Sequence, residues 1–109
     1  METFSALADP VRLRIVTMLA AADMNVSEIA TRFSVSRPAV SRHLSVLLRA
    51  NLVQVRDQAQ MRVYSLDPRG LDEVDRWMAQ CRQIWSTRLD SLGTHLDNLA
   101  RKRREEAKR

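Results

Sequence analysis

What this chain has little of narrows its class before any motif is read. Of its 109 residues only two are glycine and three proline, so few positions break regular structure and connections should be short. A single cysteine, Cys81, excludes an intramolecular disulfide framework and a cysteine-rich metal site. No signal-peptide pattern is visible. The longest apolar stretch, residues 15–22, is interrupted by Thr17 and flanked by Arg12, Arg14 and Asp23, far short of the roughly 20 residues a membrane span needs. A cytoplasmic location without a membrane partner is therefore expected. No glycine-rich phosphate loop, nucleophile–base pair or ligand cluster occurs, so an enzyme is not expected, nor a cofactor or a bound metal. The length suits one domain with a modest core, for which burial of further apolar surface in a dimer is a natural supplement.

What is present is positive charge, and its placement says more than the net value of +5. Residues 29–62 hold six arginines against Asp57 alone, and the terminal run 101–109 holds six basic residues against Glu105 and Glu106. A localised basic block suits phosphate binding, although a solvated basic face carries the same charge.

The order of elements is legible from caps and periodicity. Asp9-Pro10 joins an N-cap residue to proline at the first helical position, and Val11, Ile15, Met18 and Leu19 follow at helical spacing to about Ala22. A shorter helix carrying Phe4 and Leu7 precedes it. Asn25-Val26-Ser27-Glu28 has capping-box spacing and opens a short helix with Ile29, Ala30 and Phe33 inward. Ser36 is placed to cap the next helix, which tolerates Pro38 in its first turn and runs to about Ala50. Two β-rich runs, 52–56 and 61–66, flank Asp57-Gln58-Ala59-Gln60 and predict a hairpin of undetermined turn type. Asp67-Pro68 repeats the cap-then-proline device before a long final helix, whose early turns carry Asp72, Glu73 and Asp75 where the dipole favours acid. The expected fold is mainly α with a small β-hairpin, a winged helix-turn-helix.

The segment VSEIATRFSVSRPAVSRHL, residues 26–44, carries the functional expectation. Two helices joined by a tight three-residue turn need a small residue at their crossing, here Ala30, and apolar residues filling the wedge, here Ile29, Phe33, Val35 and Val40. The turn at Ser34 lacks the glycine often found there. Projected at about 100° per residue, the second helix turns Val40, Leu44, Leu47 and Leu48 to the core. Pro38, Ser41, Arg42, Ser45 and Arg49 lie broadly opposite. Small hydroxyls and arginines let such a helix settle in a major groove, with Arg42 able to reach guanine O6 and N7. Ser36 and Arg37 sit at the helix N-terminus, where free N–H groups and the dipole attract phosphate. Arg56 and Arg62 flank the hairpin tip, where a wing touches backbone or minor groove. A solvated amphipathic helix and solubilising arginines are the bland alternatives. His43 falls at the edge of the core face and reads as a part-buried, hydrogen-bonded histidine.

FSALADPVRLRIVTMLA, VSEIATRFSVSRPAVSRHLSVLLRANLV and RVYSLDPRGL together resemble the arsenic-repressor-like (ArsR/SmtB) regulators over roughly residues 3–97. The resemblance implies homodimeric repressors that bind imperfect inverted repeats of double-stranded DNA and release them on a signal. It places Ser36, Arg37, Ser41 and Arg42 on the DNA-reading helix, Arg56 and Arg62 on the wing, and the dimer interface on the first and last helices, hence Phe4 and Leu7. Metal-sensing members carry a cysteine pair beside the helix-turn-helix. This chain has Asp23-Met24-Asn25-Val26-Ser27 there, and its final helix holds one histidine, His95. With no thiolates and no second histidine at a compatible spacing, a metal-independent member is expected.

Along the final helix Leu71, Met78, Trp85, Leu92 and Leu99 fall seven apart, with Val74, Cys81 and His95 at companion positions and Arg88 interrupting; Trp77, Ile84, Leu89 and Leu96 widen the stripe. So broad an apolar face predicts packing on the chain's own domain and on the same helix of a second subunit. Cys81 reads as a small packed hydrophobe, with redox chemistry left open. Residues 1–100 are expected to form the DNA-binding and dimerisation domain, and 101–109 a frayed or disordered basic tail. A winged-helix module that binds protein, and a metal-responsive repressor, remain the alternative functions.

Overall fold

The computed structural model describes residues 2–108, arranged as α1 (Glu2–Leu7), α2 (Pro10–Ala21), β1 (Met24–Asn25), α3 (Val26–Ala30), α4 (Arg37–Arg49), β2 (Val53–Gln58), β3 (Met61–Leu66) and α5 (Pro68–Ala107). The expected caps form. The Asp9 carboxylate accepts from the N–H groups of Val11 and Arg12 at the start of α2, and Ser36 Oγ accepts from Ala39 N–H at the start of α4. At α3 the capping box closes in both directions: Asn25 Oδ1 accepts from Glu28 N–H at 2.9 Å, and Asn25 N–H donates to Glu28 Oε1 at 3.1 Å.

The core forms where the apolar faces of these short elements meet. Ile15 and Leu19 of α2, Ile29 of α3, Val40, Leu44 and Leu47 of α4, Leu52, Val53 and Tyr64 are all buried in one cluster. Leu7, Ala30, Phe33, Val35, Leu48 and Leu71 pack around it. The crossing of α3 and α4 is thus lined by the residues expected there.

Three details differ from the sequence reading. The helix opened by the capping box stops at Ala30, so residues 31–36 form a six-residue connection in place of a three-residue turn. Arg32 and Phe33 donate to carbonyls only three residues back, and Thr31 Oγ1 donates to the Glu28 carbonyl at 2.8 Å. These tighter bonds end the α-helical pattern. The hairpin gains a third strand: β1 pairs antiparallel with β3, matching Met24 with Tyr64 and Asn25 with Val63, in the sheet order β1-β3-β2. Finally, α5 remains helical through the basic run to Ala107.

The β2–β3 register runs from Val53 opposite Leu66 to Gln58 opposite Met61, leaving a two-residue loop, Ala59-Gln60. Ala59 has φ 57°, the sign a two-residue hairpin needs at its first loop position, here without the usual glycine. The chain divides into two compact units. One extends to Asp75 and holds all elements through the start of α5; the other, from Arg76 onward, is the rest of that helix.

Candidate nucleic-acid interface

α4 presents a two-sided surface. Val40, Leu44 and Leu47 are fully buried, whereas Ser36, Arg37, Pro38, Ser41, Arg42, Ser45 and Arg49 are all exposed. The apolar spacing forces this division: once Val40, Leu44 and Leu47 enter the core, Ser41, Arg42 and Ser45 must face outward. Among the described residues, neither the Arg37 nor the Arg42 side chain takes part in a hydrogen bond or ion pair. Their guanidinium groups are therefore free to meet an anion. Ser36 uses an oxygen lone pair for its cap (3.3 Å) and keeps its hydroxyl proton for another acceptor. The first N–H groups of α4 add an anion-attracting helix end.

The wing arginines are placed differently. Register puts Arg56 opposite Val63 and Arg62 opposite Asp57, so the two occupy opposite faces of the hairpin. Arg56 donates to Asp23 Oδ2 at 2.8 Å and to Gln58 Oε1 at 3.3 Å. Arg62 extends over the Tyr64 ring, 6.0 Å from its centroid. A phosphate contact by Arg56 must compete with Asp23; Arg62, across from Asp57, forms no ion pair among the described residues. The Asp23 partner went unread because residues 23 and 56 approach only through the β1–β3 pairing.

Behind α4 lies a second arginine that sequence reasoning missed. Half-buried Arg12 donates from Nε to the Ala6 carbonyl at 2.7 Å and from Nη2 to the Ser5 carbonyl at 3.4 Å, and its Nη1 lies 3.3 Å from His43 Nδ1. His43 is half-buried, between the core face of α4 and its exposed face. Nearby, the N–H of Arg12, then that of Val11, and the positive charge of Arg12 hold the Asp9 carboxyl below the usual carboxylate range despite some desolvation, with His43 adding to this only when its ring is charged.

The residues expected at a dimer interface fall into two groups. Phe4, Leu7 and Leu71 are half-buried within the subunit, and Leu7 and Leu71 pack against its core. Met78, Trp85, Leu89, Leu92 and Leu96 are exposed, together with Trp77, Ile84 and Leu99. Trp85 retains 61% of its surface. Cys81 on the same helix is exposed as well. Among the described residues, no group of three or more His, Cys, Asp or Glu side chains could hold a metal ion, and no helix is long and apolar enough to cross a membrane.

Comparison with known proteins bears on this surface. Residues 9–55, from the cap of α2 to the middle of β2, match the family described as bacterial regulatory protein, arsR family. The HTH-type transcriptional regulator Rv2034 of Mycobacterium tuberculosis is 43% identical over 96 residues, covering 84% of this chain and 90% of that protein. The transcriptional repressor SdpR of Bacillus subtilis is 35% identical over 77 residues, covering 71% of this chain and 86% of its own length. Among solved structures, an ArsR-like transcriptional regulator from Rhodococcus sp. RHA1 superposes with a TM-score of 0.70 at 32% identity, covering 84% of this chain and 86% of that one.

Proposed function

Because the chain belongs to the ArsR family of bacterial regulatory proteins, we propose that it binds an inverted-repeat operator in double-stranded DNA as a homodimer and represses transcription from it. It is a DNA-binding transcriptional regulator and not an enzyme. The observation that carries the reading is the outer face of α4, where the exposed Arg37 and Arg42, neither side chain paired among the described residues, stand beside the small exposed Ser41 and Ser45. Arg42 and Ser41 read base edges, Ser36, Arg37 and Pro38 meet the backbone at the helix end, and Ser45 keeps the far half slim enough to lie in the groove. Arg62, and Arg56 when released from Asp23, reach backbone or minor groove from the wing.

A second copy of the chain is the occupant proposed for the apolar stripe of α5, with Phe4 and Leu7 at its margin. A two-fold dimer presents two copies of α4 about one DNA turn, roughly 34 Å, apart. Charge supports self-pairing of an antiparallel kind, since α5 begins with Asp72 and Asp75 and ends with Arg101, Lys102, Arg103 and Arg104. In this reading residues 1–100 bind DNA and dimerise, and 101–109 add phosphate attraction. Within one subunit the segment Asp23–Ser27 offers no thiolate donor, which favours metal-independent control.

The test is selection of genomic fragments by the purified full-length protein, followed by footprinting. Two protected half-sites centred about 10 base pairs apart are expected. Affinity should fall steeply, by about 10³-fold or more, from about 50 to 200 mM salt if six or more phosphates are contacted. Added zinc or copper should leave it unchanged. Failure to enrich any fragment at low salt would remove the reading.

A further inference from the structure

We propose that Arg12 and His43 form a positioning clamp that holds α4 in its DNA-binding orientation only while the His43 imidazole is neutral, which makes operator binding acid-sensitive. The inference rests on the reading of α4 as the DNA-contacting helix and adds a control to it.

The geometry of one guanidinium carries the argument. Arg12 stands in the first turn of α2 and reaches three helices at once. Its Nε and Nη2 donate to the Ala6 and Ser5 carbonyls of α1 at 2.7 and 3.4 Å. These acceptors belong to the last turn of a six-residue helix; the Ser5 carbonyl also accepts from Ala8 N–H at 3.2 Å. Its Nη1 faces His43 Nδ1 at 3.3 Å. Arginine has donors and no acceptor, so a hydrogen bond across that gap requires His43 Nδ1 to offer a lone pair and the ring proton to sit on Nε2. The contact therefore selects one tautomer of the neutral ring.

Protonation of the ring puts an N–H on Nδ1, pointing a donor at a donor and setting two positive charges side by side. Asp9 is a carboxylate that influences both groups; its Oδ1 is engaged by the N–H groups of Val11 and Arg12, and its Oδ2 bonds neither Arg12 nor His43. The other charged side chains on the elements that pack most against α4 have their own places. Glu28 of α3 serves the capping box and Arg56 of β2 is paired with Asp23. Arg14 of α2 lies over the Phe33 ring, and Glu2 of α1 and Asp57 of β2 form no hydrogen bond to Arg12 or His43. Arg42, next to His43 on α4 itself, faces outward. Among the described residues no carboxylate is hydrogen-bonded to His43, so none already stands in for the lost bond. With the clamp open, α4 keeps its apolar packing through Val40, Leu44 and Leu47 but loses its polar tie to α1 and α2, and binding must restore the helix orientation.

The sign of the effect separates the clamp from simple electrostatics. Added positive charge near DNA should tighten binding on acidification, whereas an opened clamp weakens it. The experiment measures affinity of the full-length protein for its footprinted operator at about pH 7.5 and about pH 5.5, across the range in which histidines titrate, at fixed ionic strength. Wild type should weaken by about tenfold at the lower pH. His43→Gln, whose amide oxygen still accepts from Arg12 but does not titrate, should keep the affinity seen at the higher pH and lose the drop. His95→Gln should keep the drop. Imidazole nitrogen shifts of the DNA-free protein at the higher pH should report the Nε2–H tautomer for His43, whether or not any variant folds. Unchanged or tighter wild-type binding in acid, an undiminished drop in His43→Gln, or an Nδ1–H tautomer overturns the clamp. Absence of DNA binding at either pH would instead remove the parent reading, while the tautomer would still report on the clamp.

Discussion

An arginine can read DNA only if its guanidinium is not already engaged. Arg12, Arg56 and Arg69 are committed within the chain, to helix carbonyls and His43, to Asp23, and to Asp67 respectively. Arg37 and Arg42 are exposed and have no partner among the described residues. The Arg42→Ala variant should therefore lose about 1–3 kcal/mol of operator affinity, the cost of one bidentate base contact. It should also discriminate less well against random DNA in competition binding. Equal loss on specific and random DNA would make Arg42 a phosphate contact only. Arg56→Ala should cost less than Arg42→Ala on the same operator, since its ion pair with Asp23 must break before it reaches DNA. A larger effect for Arg56 would reverse their ranking.

At the scale of elements, the junction between α4 and α5 is tight enough to be tested by one methyl group. α4 ends in a paired-bond cap: Leu52 N–H donates to the Leu47 carbonyl at 3.0 Å and Asn51 N–H to the Leu48 carbonyl at 3.1 Å. Asn51 supplies the left-handed residue such a cap needs, at φ 57°. Gly70 then brings α5 against that turn, donating to the Asn51 carbonyl at 2.8 Å. A Cβ at position 70 would lie 2.5 Å from the same oxygen, a backbone atom with little room to move. Gly70→Ala should lower unfolding free energy by about 1–3 kcal/mol in urea titration; an unchanged midpoint would mean the junction opens freely. Beside it, the buried Asp67 carboxylate is held below its ordinary range by the Arg69 guanidinium and N–H, which outweigh its desolvation. A carboxyl depressed in the folded state adds stability above its unfolded value, near pH 4, and loses it as pH falls through the folded value. Asp9 acts in the same direction. Melting temperature should therefore fall below about pH 4, and less steeply in Asp67→Asn than in wild type; parallel curves would show that Asp67 does not contribute.

For the whole molecule, the exposed stripe on α5 is the feature hardest to reconcile with a lone subunit. Ile84, Trp85, Leu92 and Leu96 each expose more than half of their surface, and contiguous apolar area of this kind marks an interaction site. Paired Trp85→Glu and Leu92→Glu substitutions should convert the protein to monomers in sedimentation equilibrium. They should also weaken operator binding by orders of magnitude, because a single α4 reads only one half-site. Wild type that sediments as a monomer at micromolar concentration would remove the two-fold arrangement.

Much of this was written in local pattern. Asp9, Asn25 and Ser36 mark helix starts through side chains that bond backbone only two or three residues away, so they are legible without tertiary context. The buried face of α4 follows from period, and outward placement of Ser41 and Arg42 follows from the inward placement of Val40 and Leu44; in α2, Ile15 and Leu19 follow it while buried Val16 does not. Chain order alone thus determined the helix starts, the hairpin and the outward face of α4, because each depends on neighbours within a turn or two. Only the tertiary structure decided the third strand, the Asp23–Arg56 pair, the close approach of Gly70 to Asn51 and the joining of Arg12 to His43. Each of those joins residues from 19 to 40 positions apart, and a contact across such a gap forms when packed elements converge, leaving no periodic trace along the chain.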